Sequence, residues 1–296
     1  MYRCGSAGYP PCVQPIFVGD VQGCAEELKE ILGRARARFG ESFEAFFVGD
    51  VVNRGPASLR SLELVFDLVE KGRARYVLGN HELGLLMAGL GLRAFRPLDS
   101  AVEILDSPDA SFWIEWLRRR PLVAEGVLGE RPFVMVHAAA HPDWSLPELV
   151  AKARGVEARL ADPSLEAVMR FLAADGRVDP DRDLLDRLIH CRSVPGPGRW
   201  SREEPSRPEE AWHAAWTRRG QRYGIVYGHW AMQGLHVAPG LRGLDTGCVH
   251  HGRGRTGYLT AWLPDLRLKD PFQIPDQGFW QVQALRKYFI EATGEP

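Results

Sequence analysis

The stretch PIFVGD, residues 15–20, is a short apolar run that ends in Gly-Asp. Four more runs share this form, in which β-branched or aromatic residues are followed by Asp, Asn or His: AFFVGD (45–50), YVLGNH (76–81), PFVMVH (132–137) and GIVYGH (224–229). Short continuous apolar runs of this composition are typical of strands that are buried on both faces. The sequence therefore predicts five buried strands, each with a polar side chain at its end.

Two stretches between the first three runs have helical periodicity. In residues 24–39 and 58–72, apolar side chains recur every three or four positions and form one stripe. Gly72 stands at the end of the second stretch, where a glycine commonly terminates a helix. The order strand, helix, strand, helix, strand predicts an α/β core.

The middle and the end of the chain differ from this pattern. Residues from about 88–126 and 144–220 are rich in Leu, Ala, Arg, Glu and Pro, and we interpret them as helical insertions over the sheet edge of a single domain, residues 1–296. The alternative is that these segments have only a structural role. Four further elements are expected: a polar, Pro-rich loop at 195–211, antiparallel strands within 235–250 and 257–264, and a helix near 281–292.

The composition is that of an ordinary globular chain of 296 residues, with 45% hydrophobic and 25% charged residues and a net charge of −1. A balanced charge argues against bulk binding to DNA or to an anionic membrane, so we expect neither as a partner. The five cysteines have no C-x-x-C spacing, which argues against a disulfide framework and for a reducing compartment. The first residues lack the apolar segment of a signal peptide, and no run is long enough to cross a bilayer. We therefore expect a cytoplasmic protein.

The polar residues at the five strand ends include carboxylates, an amide and imidazoles. Ligands of open α/β sheets bind beyond the carboxyl ends of the strands, so these side chains are expected to lie near one another. An Asp after a single strand is more often a turn or helix-cap residue, but five ends that all offer metal-binding groups favour a site. The residues are Asp20, Asp50, Asn80, His81, His137 and His229.

This set contains oxygen and imidazole donors but no thiolate, a combination that suits Mn²⁺, Mg²⁺, Fe²⁺ or Zn²⁺. Leaving His81 aside, the remaining five ligands are more than one ion with open positions needs. We therefore interpret them as ligands of two ions that share a bridging carboxylate. Such a pair of ions can hold a water molecule as hydroxide and bind a phosphoryl group for in-line attack.

Three motifs resemble the signatures of the calcineurin-like metallophosphoesterases: GDVQG (19–23), GDVVNRG (49–55) and GNHE (79–82). The position of Arg54 after Asp50 resembles the phosphoprotein-phosphatase branch of that family. Three later motifs are similar to the bacterial symmetrical diadenosine tetraphosphatases within it: VMVHAA (134–139), YGHWA (227–231) and LDTGC (244–248). The resemblance implies a central β-sandwich of mixed sheets flanked by helices, with helical insertions near the active site.

The resemblance also implies roles for individual residues. Arg54 would bind the substrate phosphate, and His81 would act as general acid near the leaving group. Arg192, in HCRSVPG (190–196), is similar to a second phosphate-binding arginine. Two divalent ions are implied, with Mn²⁺ first and Co²⁺, Ni²⁺, Mg²⁺ or Fe²⁺ as alternatives. Their ligands would be Asp20 and Gln22 on the first ion, Asp50 between the ions, and Asn80, His137 and His229 on the second.

Two residues depart from the family pattern. Gln22 stands where most of the superfamily has a histidine, although many tetraphosphatases also have glutamine there. An amide oxygen is a harder and weaker donor than imidazole, so we expect the first ion to bind less tightly and to be Mn²⁺ or Mg²⁺ rather than Zn²⁺. Asn53 stands where the protein phosphatases have an Asp beside the catalytic histidine. A neutral amide cannot stabilise an imidazolium ion, so we expect a preference for phosphoanhydrides over phosphoserine.

The predicted reaction is hydrolysis of diadenosine tetraphosphate to two ADP molecules, by attack of the hydroxide held between the ions on an inner phosphorus. Trp230 is the first candidate for stacking on adenine, with Trp212 and Trp216 as alternatives. Other dinucleoside polyphosphates and tetraphosphate-capped RNA ends would fit the same chemistry. One alternative is a protein phosphatase that acts on phosphoserine, phosphothreonine or phosphotyrosine with the same ions. Another is a metal-free binding protein in which Gln22 replaces a lost ligand.

Overall fold

The structure is a computed structural model that describes residues 13–95, 99–196 and 198–288. Within these ranges the chain forms twelve strands and nine α-helices. The strands, in chain order, are β1 (Gln14–Val18), β2 (Phe43–Phe47), β3 (Ala74–Tyr76), β4 (Val123–Leu128), β5 (Arg131–Val136), β6 (Ser193–Gly196), β7 (Arg199–Ser201), β8 (Gly224–Tyr227), β9 (His236–Ala238), β10 (Leu241–Gly243), β11 (Tyr258–Trp262) and β12 (Phe279–Gln283). The helices, in chain order, are α1 (Ala25–Phe39), α2 (Ser58–Glu70), α3 (Asn80–Gly89), α4 (Val102–Leu105), α5 (Ala110–Leu117), α6 (Leu146–Leu160), α7 (Leu165–Ala173), α8 (Pro180–His190) and α9 (Trp212–Arg218).

Ten of these strands form two mixed five-stranded sheets. The first has the order β12-β11-β1-β2-β3, in which β1, β2 and β3 are parallel and β11 and β12 are antiparallel to their neighbours. The second has the order β4-β5-β8-β10-β9, in which β5, β8 and β10 are parallel and the edge strands are antiparallel. Four of the five predicted strands coincide with observed ones. The third predicted run, residues 76–81, overlaps β3 only at Tyr76. The observed strand begins two residues earlier, and residues 77–79 are not in a strand.

The two sheets pack face to face, and successive residues of each strand point to different layers. Phe17 and Phe46 of the first sheet share one buried cluster with Phe133 of the second. The rings of Phe17 and Phe133 are 5.4 Å apart between centroids. Ile16 and Val18, which flank Phe17, belong to a different cluster that includes helix residues. The strands are therefore buried on both faces, in a β-sandwich between helical layers, as predicted.

Helices α1 and α2 pack on the first sheet. The stripe of α1 is buried as its periodicity predicts, and it consists of Leu28, Ile31, Leu32 and Ala35. Gly72 lies two residues beyond α2 and has a φ of 66°, the left-handed conformation that glycine adopts at low cost. Both predicted helices are therefore confirmed.

The second predicted insertion is largely helical and contains α6 to α9, whereas the described part of the first contains the two short helices α4 and α5. Two details of the prediction were wrong. Residues 123–126 were assigned to the first insertion, but they belong to β4 and pair with β5. The polar loop predicted at 195–211 contains part of a short hairpin, since β6 pairs with β7.

The helix predicted near 281–292 was also wrong for the residues that the structure describes. Residues 281–283 form the end of β12, which pairs antiparallel with β11. Val282 is buried and Gln281 and Gln283 are exposed, the alternation of an edge strand. Residues 289–292 lie outside the described ranges.

Membrane segments and disulfides were both expected to be absent. No helix in the described ranges is both long and apolar enough to cross a membrane. Cys24, Cys191 and Cys248 are buried free thiols. Cys4 and Cys12 lie outside the described residues.

Candidate active site

The carboxyl ends of parallel strands from the two sheets meet at one edge of the sandwich. Asp20 and Asp50 follow β1 and β2, and Asn80 opens α3 after β3, whereas His137 and His229 follow β5 and β8 in the other sheet. Asp50 Oδ2 lies 3.4 Å from His137 Nε2. The Asp20 carboxylate accepts a hydrogen bond from the His229 backbone N–H at 3.1 Å. The structure thus brings these five predicted ligands together from distant segments.

Two glycines allow this close approach. A side chain at Gly228 would collide with the Asp20 carboxylate, and one at Gly79 would collide with that of Asp50. Because glycine has no Cβ, a carboxylate from one strand can pack against the backbone of its neighbour. The Gly-Asn and Gly-His pairs of the sequence motifs therefore have a packing reason as well as a chemical one.

Asn80, His137 and His229 form one side of the site, which we call the histidine half. Asn80 Oδ1 lies 3.1 Å from His137 Nε2 and 2.7 Å from His229 Nδ1. The other ring nitrogens contact backbone carbonyls, with His137 Nδ1 2.9 Å from Val48 O and His229 Nε2 3.1 Å from His190 O. A carbonyl on one nitrogen holds the proton there and leaves the other nitrogen free to bind a metal ion. The histidine half therefore fits a divalent cation.

Asp50 lies next to the histidine half and is the candidate bridging ligand. Its Oδ1 accepts the His81 backbone N–H at 2.8 Å, and its Oδ2 lies 3.6 Å from His81 Nε2. Burial by itself would raise the pKa of Asp50, but His137 and His81 hold it below its usual range. The side chain is therefore an anion at neutral pH, as a bridging ligand must be. Asp50, His137 and His229 offer donor atoms that all lie within 4.8 Å of one another.

Asp20, Gln22 and Asp245 form the opposite side, which we call the carboxylate half. Burial, Asp245 and Asp50 all raise the pKa of Asp20. Burial also raises the pKa of Asp245 to about 6, and its Oδ2 has no hydrogen-bond partner although it is buried. Gln22 and Asp245 line the same cavity as Asp50. Buried carboxylates that lie close together, one of them with an oxygen that lacks a hydrogen-bond partner, fit a cation. The sequence analysis assigned no role to Asp245.

Glu82 is a second residue whose role the sequence reasoning missed, although it lies in the GNHE motif. Its buried carboxylate accepts hydrogen bonds from the backbone N–H groups of Asp50 at 2.9 Å and of Val51 at 2.8 Å. It also accepts from Val52 at 3.2 Å and from Gly79 at 2.9 Å. One side chain thus ties the loop after β2 to the start of α3 and fixes the position of Asp50.

His81 is connected to a carboxylate through Asn53. The Asn53 amide nitrogen contacts His81 Nδ1 at 2.8 Å and donates to Asp99 Oδ1 at 3.1 Å, while its oxygen accepts the Arg54 N–H at 2.8 Å. Asp99 can only accept and a backbone N–H can only donate, so the amide orientation is fixed and Nδ1 must accept. His81 therefore carries its proton on Nε2, the nitrogen that faces Asp50.

Asp99 also changes the expectation for Asn53. The sequence predicts no electrostatic support for a charged His81. In the structure, burial has the largest effect on the pKa of His81 and lowers it, whereas Asp50 and, more weakly, Asp99 behind Asn53 raise it. The net shift is downward. His81 is therefore neutral at pH 7, and its Nε2–H is available for donation.

Backbone strain is concentrated in the predicted site. The non-glycine residues with positive φ among those the structure describes are Gln22, Asp50, Asn53, Arg54 and His229. All of them are predicted site residues. Such conformations are costly for residues with a Cβ and tend to occur where side-chain direction matters for function.

A cavity of about 740 Å³ opens over both halves of the site. Arg54, Arg192 and Trp230 line it, as expected for substrate-binding residues, although only 9% of Trp230 is exposed. Arg192 Nη1 donates to a backbone carbonyl at 2.7 Å, and its buried Nε has no partner. The alternative stacking residues were wrong, because Trp212 and Trp216 are buried in the core.

The sequence matches the calcineurin-like phosphoesterase family over residues 15–291. A protein of Ralstonia nicotianae named "Bis(5'-nucleosyl)-tetraphosphatase, symmetrical" is 34% identical over 264 residues, which cover 84% of this chain and 90% of that protein. A protein of Shewanella baltica with the same name is 37% identical over 265 residues, covering 83% of this chain and 93% of that protein. The similarity therefore extends over most of both chains.

Solved structures share the architecture. A protein serine/threonine phosphatase from Saccharomyces cerevisiae superposes with a TM-score of 0.54 at 15% identity, covering 92% of this chain and 79% of that chain. At this identity the likeness shows the fold alone. The central β-sandwich of mixed sheets with flanking helices is therefore confirmed.

Proposed function

Because the chain belongs to the calcineurin-like phosphoesterase family, we propose that it hydrolyses diadenosine tetraphosphate at the centre of the phosphate chain and releases two ADP molecules. The observation that carries this choice of substrate is the likeness, over more than 80% of the chain, to proteins named symmetrical bis(5'-nucleosyl)-tetraphosphatases. The cavity over the two halves of the site supports it, since it offers basic side chains and an indole beside the candidate metal ligands.

Membership of this family implies divalent metal ions. We propose two, with Mn²⁺ first and Co²⁺, Ni²⁺, Mg²⁺ or Fe²⁺ as alternatives. The histidine half would hold one ion, Asp20 and Gln22 would hold the other, and Asp50 would contact both. When bound, the ions supply an activated water for the attack and positive charge for the phosphate oxygens.

The remaining groups act on the substrate. Arg54 and Arg192 lie in the cavity wall, where their positive charges would hold and orient the phosphate chain. Attack of water on an inner phosphorus breaks its bond to the central bridging oxygen, and negative charge develops on that oxygen as ADP departs. His81 would donate a hydrogen bond to it from Nε2, while Asn53 and Asp99 keep the ring in that tautomer. A nucleoside diphosphate is a good leaving group, so it can depart as an anion with a hydrogen bond from neutral His81 and without full proton transfer.

The experiment is product analysis. The purified protein with Mn²⁺ is given diadenosine tetraphosphate, and the nucleotides are separated by chromatography. ADP as the single early product is expected, whereas ATP and AMP in equal amounts would mean attack on an outer phosphorus and would refute the proposal.

Two further substrates test whether the protein prefers phosphoanhydrides over phosphate esters. An RNA with a tetraphosphate-linked cap presents the same anhydride and should be cleaved within its phosphate chain. A phosphoserine peptide should be a poor substrate, because its alkoxide leaving group requires a stronger acid than neutral His81. Equal kcat/KM values for the peptide and the dinucleotide would favour the protein-phosphatase alternative.

A further inference from the structure

A second group of metal-binding side chains stands close in the chain to residues of the carboxylate half and includes none of the proposed ligands. Cys24 directly precedes α1, Glu27 lies within its first turn, and Cys248 begins a turn of 3-10 helix after the LDTG segment. The two Sγ atoms and a Glu27 carboxylate oxygen lie within 4.8 Å of one another. All three side chains are buried, with at most 1% exposed. We call this group the thiol cluster.

The Glu27 carboxylate is only half satisfied. Its Oε1 accepts the Leu285 backbone N–H at 2.8 Å and the Tyr288 hydroxyl at 2.6 Å. Its Oε2 is equally buried and has no hydrogen-bond partner. A buried carboxylate oxygen without a donor or a cation is unfavourable, so this atom, beside two sulfurs, indicates a missing positive charge.

We propose that the thiol cluster is a structural metal site that binds one Zn²⁺ ion through Cys24, Glu27 and Cys248. Thiolates select Zn²⁺ over Mn²⁺ or Mg²⁺, which is the opposite preference from the oxygen-rich carboxylate half. Binding releases the two thiol protons to solvent. A tetrahedral ion would need a fourth ligand, and the Tyr288 hydroxyl, which already contacts Glu27, is the candidate.

The ion would join three segments that surround the active cavity. Cys24 follows Gln22 by two residues, and Cys248 follows Asp245 by three. Glu27 holds the chain near Leu285 and Tyr288, and Tyr288 lines the cavity. The proposed ion would therefore fix the loops of the carboxylate half, and it requires no assumption about the reaction that the cavity supports.

The test uses Co²⁺ in place of Zn²⁺ in the full chain. Cobalt bound by thiolate has a strong near-ultraviolet charge-transfer absorption, whereas cobalt bound by oxygen and imidazole has none. The wild-type protein should develop this absorption with the intensity of one thiolate-bound cobalt per chain, in addition to any cobalt that the active-site ligands bind, and Cys24→Ser and Cys248→Ser should each lose it. Glu27→Gln preserves side-chain shape and should retain the band with a weaker cobalt affinity.

Controls distinguish this site from the other thiols and from the active site. Cys191→Ser, and a double Cys4→Ser/Cys12→Ser variant, should keep the absorption, since neither alters the thiol cluster. Asp50→Asn should lose hydrolysis but keep the band, so failure of the proposed function leaves this result unchanged. As isolated, the wild-type protein should contain zinc by elemental analysis.

Three results would overturn the proposal. One is wild-type protein without the charge-transfer band. Another is a band that persists when both Cys24 and Cys248 are serine. The third is a Cys24–Cys248 disulfide, which mass spectrometry would detect as a loss of two hydrogens. Circular dichroism of each variant shows whether loss of the band reflects loss of the site or loss of the fold.

Discussion

The two halves of the active site differ in how completely their polar atoms are satisfied. In the histidine half, each imidazole has one nitrogen on a backbone carbonyl and the other on Asn80 or beside Asp50. In the carboxylate half, Asp20 and Asp245 are buried carboxylates whose pKa values are both raised, and one Asp245 oxygen has no partner. The first half is ordered by its own hydrogen bonds, whereas the second leaves one buried carboxylate oxygen without a hydrogen-bond partner.

This difference in hydrogen bonding bears on how tightly each half would bind its ion. A preorganised ligand set binds its ion tightly, because little ordering is required on binding. A crowded carboxylate set with a neutral amide in place of an imidazole is destabilised until an ion arrives. We therefore expect the two ions to differ in affinity, and four substitutions test this comparison.

The largest effect is expected at Asp50, which belongs to neither half alone. Asp50→Asn removes the shared negative charge and should reduce kcat to near background, a loss of at least roughly 10³-fold. Steady-state kinetics with saturating Mn²⁺ measures it. Asp67→Asn, an exposed substitution on α2, is the matched control and should leave kcat unchanged. Appreciable activity in Asp50→Asn would mean that the halves do not share this ligand.

The second substitution tests the support beneath both halves. Glu82→Gln places an amide NH₂ against backbone donors, so the free energy of unfolding should fall by about 3 kcal/mol. Urea unfolding in the presence of a chelator measures it without contributions from metal binding. Glu63→Gln, on the surface of α2, should change stability by less than about 0.5 kcal/mol. A similarly small change for Glu82→Gln would show that the loops do not depend on this carboxylate.

The third substitution tests the charge of the carboxylate half. The folded protein raises the pKa of Asp245 from 3.8 to about 6, so stability is full at low pH and falls as the pH rises through that range. In chelator, Asp245→Asn should therefore be more stable than the wild type by about 2 kcal/mol at pH 8, with a smaller difference at pH 4. Thermal unfolding at both pH values measures it. Lower stability of the variant at pH 8 would contradict the assigned charge.

The smallest effect is expected at Gln22. Gln22→His supplies an imidazole to the carboxylate half and should tighten Zn²⁺ binding there on the order of tenfold, with less change for Mn²⁺. Titration calorimetry resolves the two ions if their affinities differ as proposed. Gln283→His, at an exposed position of β12, controls for an added surface histidine. Equal tightness for both metals in the variant and the wild type would remove the proposed role of Gln22.

Much of the fold followed from local patterns. Continuous apolar runs predicted the five strands, and helical periodicity predicted α1 and α2. A strand buried on both faces is apolar at every position, and a helix buried on one stripe has apolar residues every three or four positions. The secondary-structure predictions that were wrong concern segments in which the local sequence pattern is ambiguous. Residues 281–283 have the composition of a helix end but pair with β11, since an edge strand is defined by its partner rather than by its own sequence.

The candidate site was predictable to a similar degree. The residues that can bind metal ions directly follow the strands, so their chemistry and their position at one sheet edge could be predicted from the sequence. Asp99 gave no comparable signal, and the motifs that contain Glu82 and Asp245 did not indicate their contacts. Glu82 acts on backbone groups 30 to 32 positions away, and Asp99 acts through Asn53, which is 46 positions away. Their roles depend on which loops the sheets bring into contact.

The identity of the donors and the order of the strands that present them follow from local patterns in the chain, because strand propensity and the residue after each strand are local properties. Which groups face each other follows from tertiary packing. Asp50 lies against His137, Asp245 lies beside Asp20 with one carboxylate oxygen that has no hydrogen-bond partner, and Cys24 and Cys248 lie beside Glu27. Long-range contacts of this kind arise when two sheets pack into a sandwich and their loops fold over one edge. The physical reason is that the energy of a buried charge is set by its neighbours in space, and those neighbours are distant in the chain.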